Sequence, residues 1–167
     1  MSDNVKRETI IWDTKSKIHL GITIIVMIFI FIQSALPADL SGAESNVIVK
    51  ILSNLTGIEE ESLSLIVRKL AHFTEFMILG ICLAVNVKDI LAACNKTVQG
   101  FKIVALPWSI GTVYAVTDEV HQLFVPGRAC ALLDICIDSA GVAVGVLIIF
   151  VSACRVAKAG PVTGNRF

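Results

Sequence analysis

Polar and apolar residues along this chain fall into blocks rather than into a fine alternation. After a polar opening over residues 1–17, Ile18 to Leu36 runs apolar, broken only by His19, Thr23, Gln33 and Ser34. Such a run supplies the roughly 20 residues a helix needs to cross a bilayer. It is longer than the ~7–15-residue core of a secretory signal, and no small-x-small cleavage site follows, so it reads as an anchor. Pro37 stops the helix. Ala38 to Ser62 is polar and acidic, yet Val47, Ile48, Ile51, Leu52 and Leu55 recur within it at helical spacing. That pattern predicts a short amphipathic helix lying on the membrane surface.

The next block is the informative one. Its purely apolar part, Phe76 to Val85, is half the length of a crossing, so Leu63 to Glu75, with Arg68, Lys69, His72 and Glu75, is drawn into the membrane region beside it. Asn86 to Gly100 reads as a polar loop. Phe101 to Val125 forms a third span, uncharged from Ile103 to Thr117. That uncharged part rises about 22 Å and sets Asp118 just inside the far boundary. Pro126-Gly127 reverses the chain, and Ala129 to Ala153 returns as a fourth span. The expected fold is all-α and polytopic, with four transmembrane helices and the outward amphipathic helix between the first two. One membrane domain over 18–153 lies between a cytoplasmic N-terminal segment (1–17) and a cytoplasmic tail (154–167).

Composition agrees with a membrane domain, since 55% of residues are hydrophobic and only 17% charged. Basic and acidic residues balance at 14 each with no long basic run, which argues against a nucleic-acid partner. The cysteines, Cys82, Cys94, Cys130, Cys136 and Cys154, form no C-x-x-C pair and read as small apolar residues, not as a disulfide framework or zinc site. Lysine and arginine set the orientation. Lys6, Arg7, Lys15 and Lys17, then Lys88, Lys96 and Lys102, then Arg155, Lys158 and Arg166 mark one side, while Lys50, Arg68, Lys69 and Arg128 belong to the other. Both termini are then cytoplasmic, and the Pro126-Gly127 turn faces outward.

Charge inside apolar sequence is costly to keep and marks a functional site by default. Arg68, His72 and Glu75 share one helical face, as do Tyr114, Asp118, His121 and Gln122, and as do Asp134, Asp138, Gly141 and Gly145. Counting from the turn, His121 and Asp134 lie about 9–10 Å deep and Asp118 and Asp138 about 14–16 Å. Three polar stripes at similar depth imply one buried site. Glu75, Asp118, Glu119, Asp134 and Asp138 outnumber Arg68, Lys69 and Arg128, so a shared proton, a charged histidine, a bound metal or a cationic ligand group is needed to restore balance.

The motifs R-K-x-x-H-F-x-E-F (Arg68 to Phe76), Y-A-x-x-D-E-x-H-Q-x-F-x-P-G-R (Tyr114 to Arg128) and D-x-x-x-D-x-x-G-x-x-x-G (Asp134 to Gly145) resemble the VanZ family of bacterial membrane proteins over most of Ile18 to Ala153. That resemblance implies a role in the cell envelope and a link to teicoplanin, a cell-wall-directed lipoglycopeptide, without implying a reaction. Phe76 stands where the family commonly carries tyrosine, so no hydroxyl is supplied there.

Several readings of these residues stay open. The charged cluster can be an ion-pair network that fixes helix register. It can be a ligand site in which Arg68, Lys69, Glu119, Gln122, Arg128, Asp134 and Asp138 hold a lipid-linked wall precursor or the antibiotic. It can be a membrane-embedded hydrolase or transferase site for a lipid headgroup, with His72, Glu75, Asp118 and His121 as acid, base or metal ligands. A divalent metal is a candidate cofactor on His72, Glu75, Asp118, His121, Asp134 and Asp138, although no named ligand spacing is matched. Four short spans without an inverted repeat favour a transporter less. Gly141-x-x-x-Gly145 points to a close helix contact, in this bundle or in an oligomer. Trp108 and Tyr114 read as packing residues, and His19 and Gln33 as isolated ones.

Overall fold

The computed structural model describes residues 13–93, 100–128 and 130–159, and these form five α-helices. They are α1 (Thr14–Ser34), α2 (Ala38–Thr56), α3 (Glu60–Ala93), α4 (Gly100–Gln122) and α5 (Leu132–Ala159). Asp13 caps α1 by accepting the Ser16 backbone N–H at 2.8 Å. The Ser16 hydroxyl first, and then this backbone bond, hold the Asp13 carboxyl below its ordinary range. Gly57, at the end of α2, and Gly127, in the α4–α5 turn, take the positive φ values of 71° and 75° that side chains disfavour.

Polar contacts between helices fix their directions. His19, near the start of α1, meets Asp89 near the end of α3, whereas Ser34, at the end of α1, meets Asp118 near the end of α4. So α1 runs with α4 and against α3. Lys69 pairs with Asp134, which sets the first turns of α5 beside the early part of α3. The most extensive packing is between α3 and α5, and glycine makes it close. A Cβ on Gly145 would come within 2.8 Å of the Ile81 nitrogen, and one on Gly141 within 3.2 Å of that of Met77. The expected small-residue contact is thus made within the bundle.

Ile30, Phe76, Leu79, Leu83, Ala84, Ala115, Val142 and Val146 form the core. Many large apolar side chains face outward instead, on α1 above all: Ile18, Ile22, Ile25, Ile28, Phe29 and Ile32 are all exposed. α1, α3 and the Leu132–Arg155 part of α5 are long and apolar enough to cross a membrane. α4, which carries Lys102, Asp118, Glu119 and an internal Pro107, is not among them.

One expectation is corrected. Asn86 to Ala93 is not loop but the last two turns of α3. Its polar residues face α1: Asn86 donates to Thr23 Oγ1 at 2.6 Å, and Asp89 reaches His19. Polar residues at helical spacing found partners across a helix interface, so they did not break the helix. Cys94 and Lys96 lie outside the described residues, as do Lys6, Arg7 and Arg166 of the terminal segments. Of the predicted apolar series, which sits on α2, Val47, Ile48, Ile51 and Leu55 are exposed and Leu52 is partly buried, while Val49 is buried.

Candidate functional site

At the hairpin end of the bundle, α3, α4 and α5 enclose a cavity of about 280 Å³. Its walls include Arg68, Lys69 and His72 from α3, Glu119 and Gln122 from α4, Arg128 from the turn, and Asp134 and Asp138 from α5. The seven residues expected to hold a ligand are therefore brought together with His72. Helical spacing explains the convergence, because each helix turns one polar stripe inward.

The cavity has two tiers. Cations lie toward the turn. Lys69 is paired with Asp134. Arg128 donates from Nε to the Leu36 carbonyl at 3.0 Å, and from its terminal nitrogens to the Gln33 carbonyl at 3.4 Å and Gln122 Oε1 at 3.3 Å. Burial first, and then the charge of Arg68, press the Arg128 pKa downward. Among the described residues neither Arg68 nor Arg128 has a carboxylate within salt-bridge distance.

Beneath them lie acceptors. Asp118 is 2% exposed and Asp138 1% exposed. Asp118 Oδ2 accepts from the Ser34 hydroxyl at 2.7 Å and from Gln122 Nε2 at 3.0 Å, while its Oδ1 has no partner. Asp138 Oδ1, Glu75 Oε2 and His72 Nδ1 are likewise buried without partners. His72, Asp118 and Asp138 bring one donor atom each within 4.8 Å of one another. Gln122 stands between the tiers, receiving from Arg128 and donating to Asp118, and so keeps the guanidinium off the carboxylate. Glu119, in the cavity wall, is engaged: its Oε2 accepts the Ala131 backbone N–H at 3.0 Å and ties the entry to α5 to α4.

A model of the VanZ/LLP1 family matches residues 20–153. The chain belongs to the VanZ/LLP1 family. No curated protein and no solved structure matches it. Together with its long apolar helices and outward-facing apolar side chains, VanZ/LLP1 membership makes this a membrane protein. The three motifs that carried the resemblance are the stretches that line or floor the cavity.

Not every VanZ-like motif residue joins the floor. His121 stacks on Phe31 of α1, with ring centroids 4.2 Å apart, and is outside the group formed by His72, Asp118 and Asp138. Glu75 lies one turn along α3 from His72 and does not line the cavity itself. Tyr114 donates to the Met27 carbonyl at 2.7 Å, and Trp108 to the Ser139 carbonyl at 3.2 Å, both as packing contacts. Phe76 is wholly buried in the core.

Sequence reasoning missed the part played by α1. Of its four polar interruptions, Ser34 holds Asp118, the Gln33 carbonyl receives Arg128, and His19 and Thr23 bond to α3. The signal was present, since a polar residue inside a span seldom lacks a partner.

Proposed function

We propose that this protein acts in the bacterial cell envelope by binding the anionic headgroup of a lipid-linked envelope component. In this reading the chain crosses the membrane four times, α4 being the remaining span, with both termini cytoplasmic and the hairpin-end cavity opening outward. The exposed apolar series on α2 then rests on the bilayer beside the cavity mouth. Altered glycopeptide susceptibility, teicoplanin above all, follows if the occupant is the wall precursor or the drug itself.

The observation that carries this reading is the upper tier. Arg68 and Arg128 line the cavity without carboxylate partners among the described residues, and a guanidinium binds phosphate or carboxylate through paired donors. Backbone carbonyls at the end of α1 hold Arg128 in place beforehand, which lowers the ordering cost of capture. The test is binding of polyprenyl-phosphate-bearing vesicles to the purified protein, beside teicoplanin and vancomycin susceptibility of a sensitive host expressing it. Arg68→Gln with Arg128→Gln is expected to weaken binding at least 10-fold at equal membrane level. Undiminished binding by that variant would refute the proposal.

A second reading is favoured by the lower tier. His72, Glu75 and Asp118 beneath a headgroup have the donor types of a hydrolase or transferase site, with His72 or a carboxylate as the proton acceptor. Turnover of a labelled lipid precursor, lost in Asp118→Asn, would support it over simple binding.

A further inference from the structure

The floor of the cavity poses a problem of physical chemistry. Two carboxylates, Asp118 and Asp138, are almost completely removed from solvent, and each keeps an oxygen with no hydrogen-bond partner. Unpaired buried charge is among the most expensive arrangements a protein can hold. Three cationic side chains line the same cavity, yet none reaches these oxygens. Gln122 holds Arg128 away, and Lys69 is taken by Asp134.

We infer that His72, Asp118 and Asp138 bind one divalent transition-metal ion, Zn²⁺ or Mn²⁺, at the cavity floor. The three donors come from α3, α4 and α5, and their donor atoms lie within 4.8 Å of one another. Three donors around one tetrahedral ion at bond lengths of about 2.0–2.2 Å stand roughly 3.3–3.6 Å apart, so closure asks each side chain to move inward by less than about 1 Å. One imidazole with two carboxylates suits borderline ions that accept both nitrogen and oxygen. A dication and two aspartates sum to zero charge, which resolves the burial cost. The bonds from Ser34 and Gln122 to Asp118 Oδ2 are the outer contacts that orient a ligating carboxylate, and they leave Oδ1 free for the ion.

Because His72 and Asp138 also line the cavity, the open coordination positions of the ion face the space beneath Arg68 and Arg128. If the anionic-headgroup reading above holds, a phosphate or carboxylate oxygen completes the coordination from that side. The metal site itself does not depend on that reading.

The test uses the full chain purified in detergent, equilibrated with micromolar Zn²⁺ or Mn²⁺, freed of loose ions by gel filtration, and analysed for bound metal by mass spectrometry. Near one equivalent is expected in the wild type, falling at least 10-fold in Asp118→Asn and in Asp138→Asn, each checked for an unchanged elution volume and helical circular dichroism. Asp89→Asn, which removes a carboxylate beside a histidine at the other end of the bundle, should retain the metal. Mn²⁺ binding is also read by loss of the free-ion spin-resonance signal, which requires no activity. Less than about 0.2 equivalents of either ion in the wild type, or equal loss in Asp89→Asn, overturns the inference. Absent metal with Arg128-dependent vesicle binding would sink the metal site alone. Bound metal with no vesicle binding would sink the headgroup reading alone.

Discussion

The bundle buries polar side chains at both ends and treats them differently. Where α1 begins, His19 meets Asp89 at 2.6 Å, and Asn86 donates to Thr23 at 2.6 Å and to the Cys82 carbonyl at 2.8 Å. Among the described residues only Asn86 Oδ1 lacks a partner there. At the hairpin end the orphaned atoms belong to His72, Glu75, Asp118, His121 and Asp138, and four of those five are carboxylates or the histidine that joins them. Both sets hold α1 to the rest of the bundle, the first through α3 and the second through α4 and the turn. Burial of polarity is common to both, so burial alone does not mark the site. Incomplete pairing beside a cavity does.

That difference makes a prediction about stability as well as binding. A polar cluster that serves packing should lose stability when cut, whereas one kept for a ligand carries a stability cost that its removal relieves. The largest effect is expected from Asp118→Asn combined with Asp138→Asn. Metal binding should fall by more than the roughly 10- to 100-fold that loss of an outer contact to a metal ligand brings, because two of the ligands themselves are removed. The thermal midpoint without ligand should hold or rise, because uncompensated charge is taken out of the interior. A drop of many degrees would show that the carboxylates are structural and would erase the contrast between the two ends.

Asn86→Leu is the converse experiment. It removes the two N–H donors that reach Thr23 Oγ1, the Cys82 carbonyl and, as a long shared contact, the His19 carbonyl, and it leaves Thr23 buried without its donor. The expected loss is about 1–3 kcal/mol, the cost of stranding buried polar groups, read as a lowered midpoint in detergent. Binding at the hairpin end should change less than twofold for protein that remains folded. A larger change would mean that α1 transmits the state of one end to the other, through Ser34 and the carbonyls that receive Arg128.

The two ends also differed in how legible they were in the sequence. The hairpin end could be read because Arg68, His72 and Glu75, or Asp134 and Asp138, repeat at one-turn and two-turn spacing within apolar runs, so each helix announced its inward face. The seven expected ligand residues all line one cavity for that reason. The opposite end was hidden, since Asn86 and Asp89 look like the polar start of a loop until α1 is placed against them. His121 shows the limit of spacing arguments. It shares a helical face with Asp118, yet a rotation of a few tens of degrees about α4 aims it at Phe31. Which of two neighbours on one stripe enters a site depends on helix rotation, which tertiary packing decides.

The smallest effect is expected from Asp89→Asn. The His19–Asp89 contact is short, but both side chains keep a fifth to a quarter of their surface exposed, at 25% and 22%. Pairs that reach water are typically worth about 0.2–1 kcal/mol, because solvent screens the attraction and ordering two side chains opposes it. Asparagine retains an oxygen that accepts from the imidazole, so the substitution isolates the contribution of charge from that of the hydrogen bond. A double-mutant cycle with His19→Gln should return a coupling below about 1 kcal/mol, with binding untouched. A coupling several times larger would place His19 and Asp89 in a less exposed setting than their surface suggests, and would give the α1-start end a stake in function that its paired carboxylate argues against.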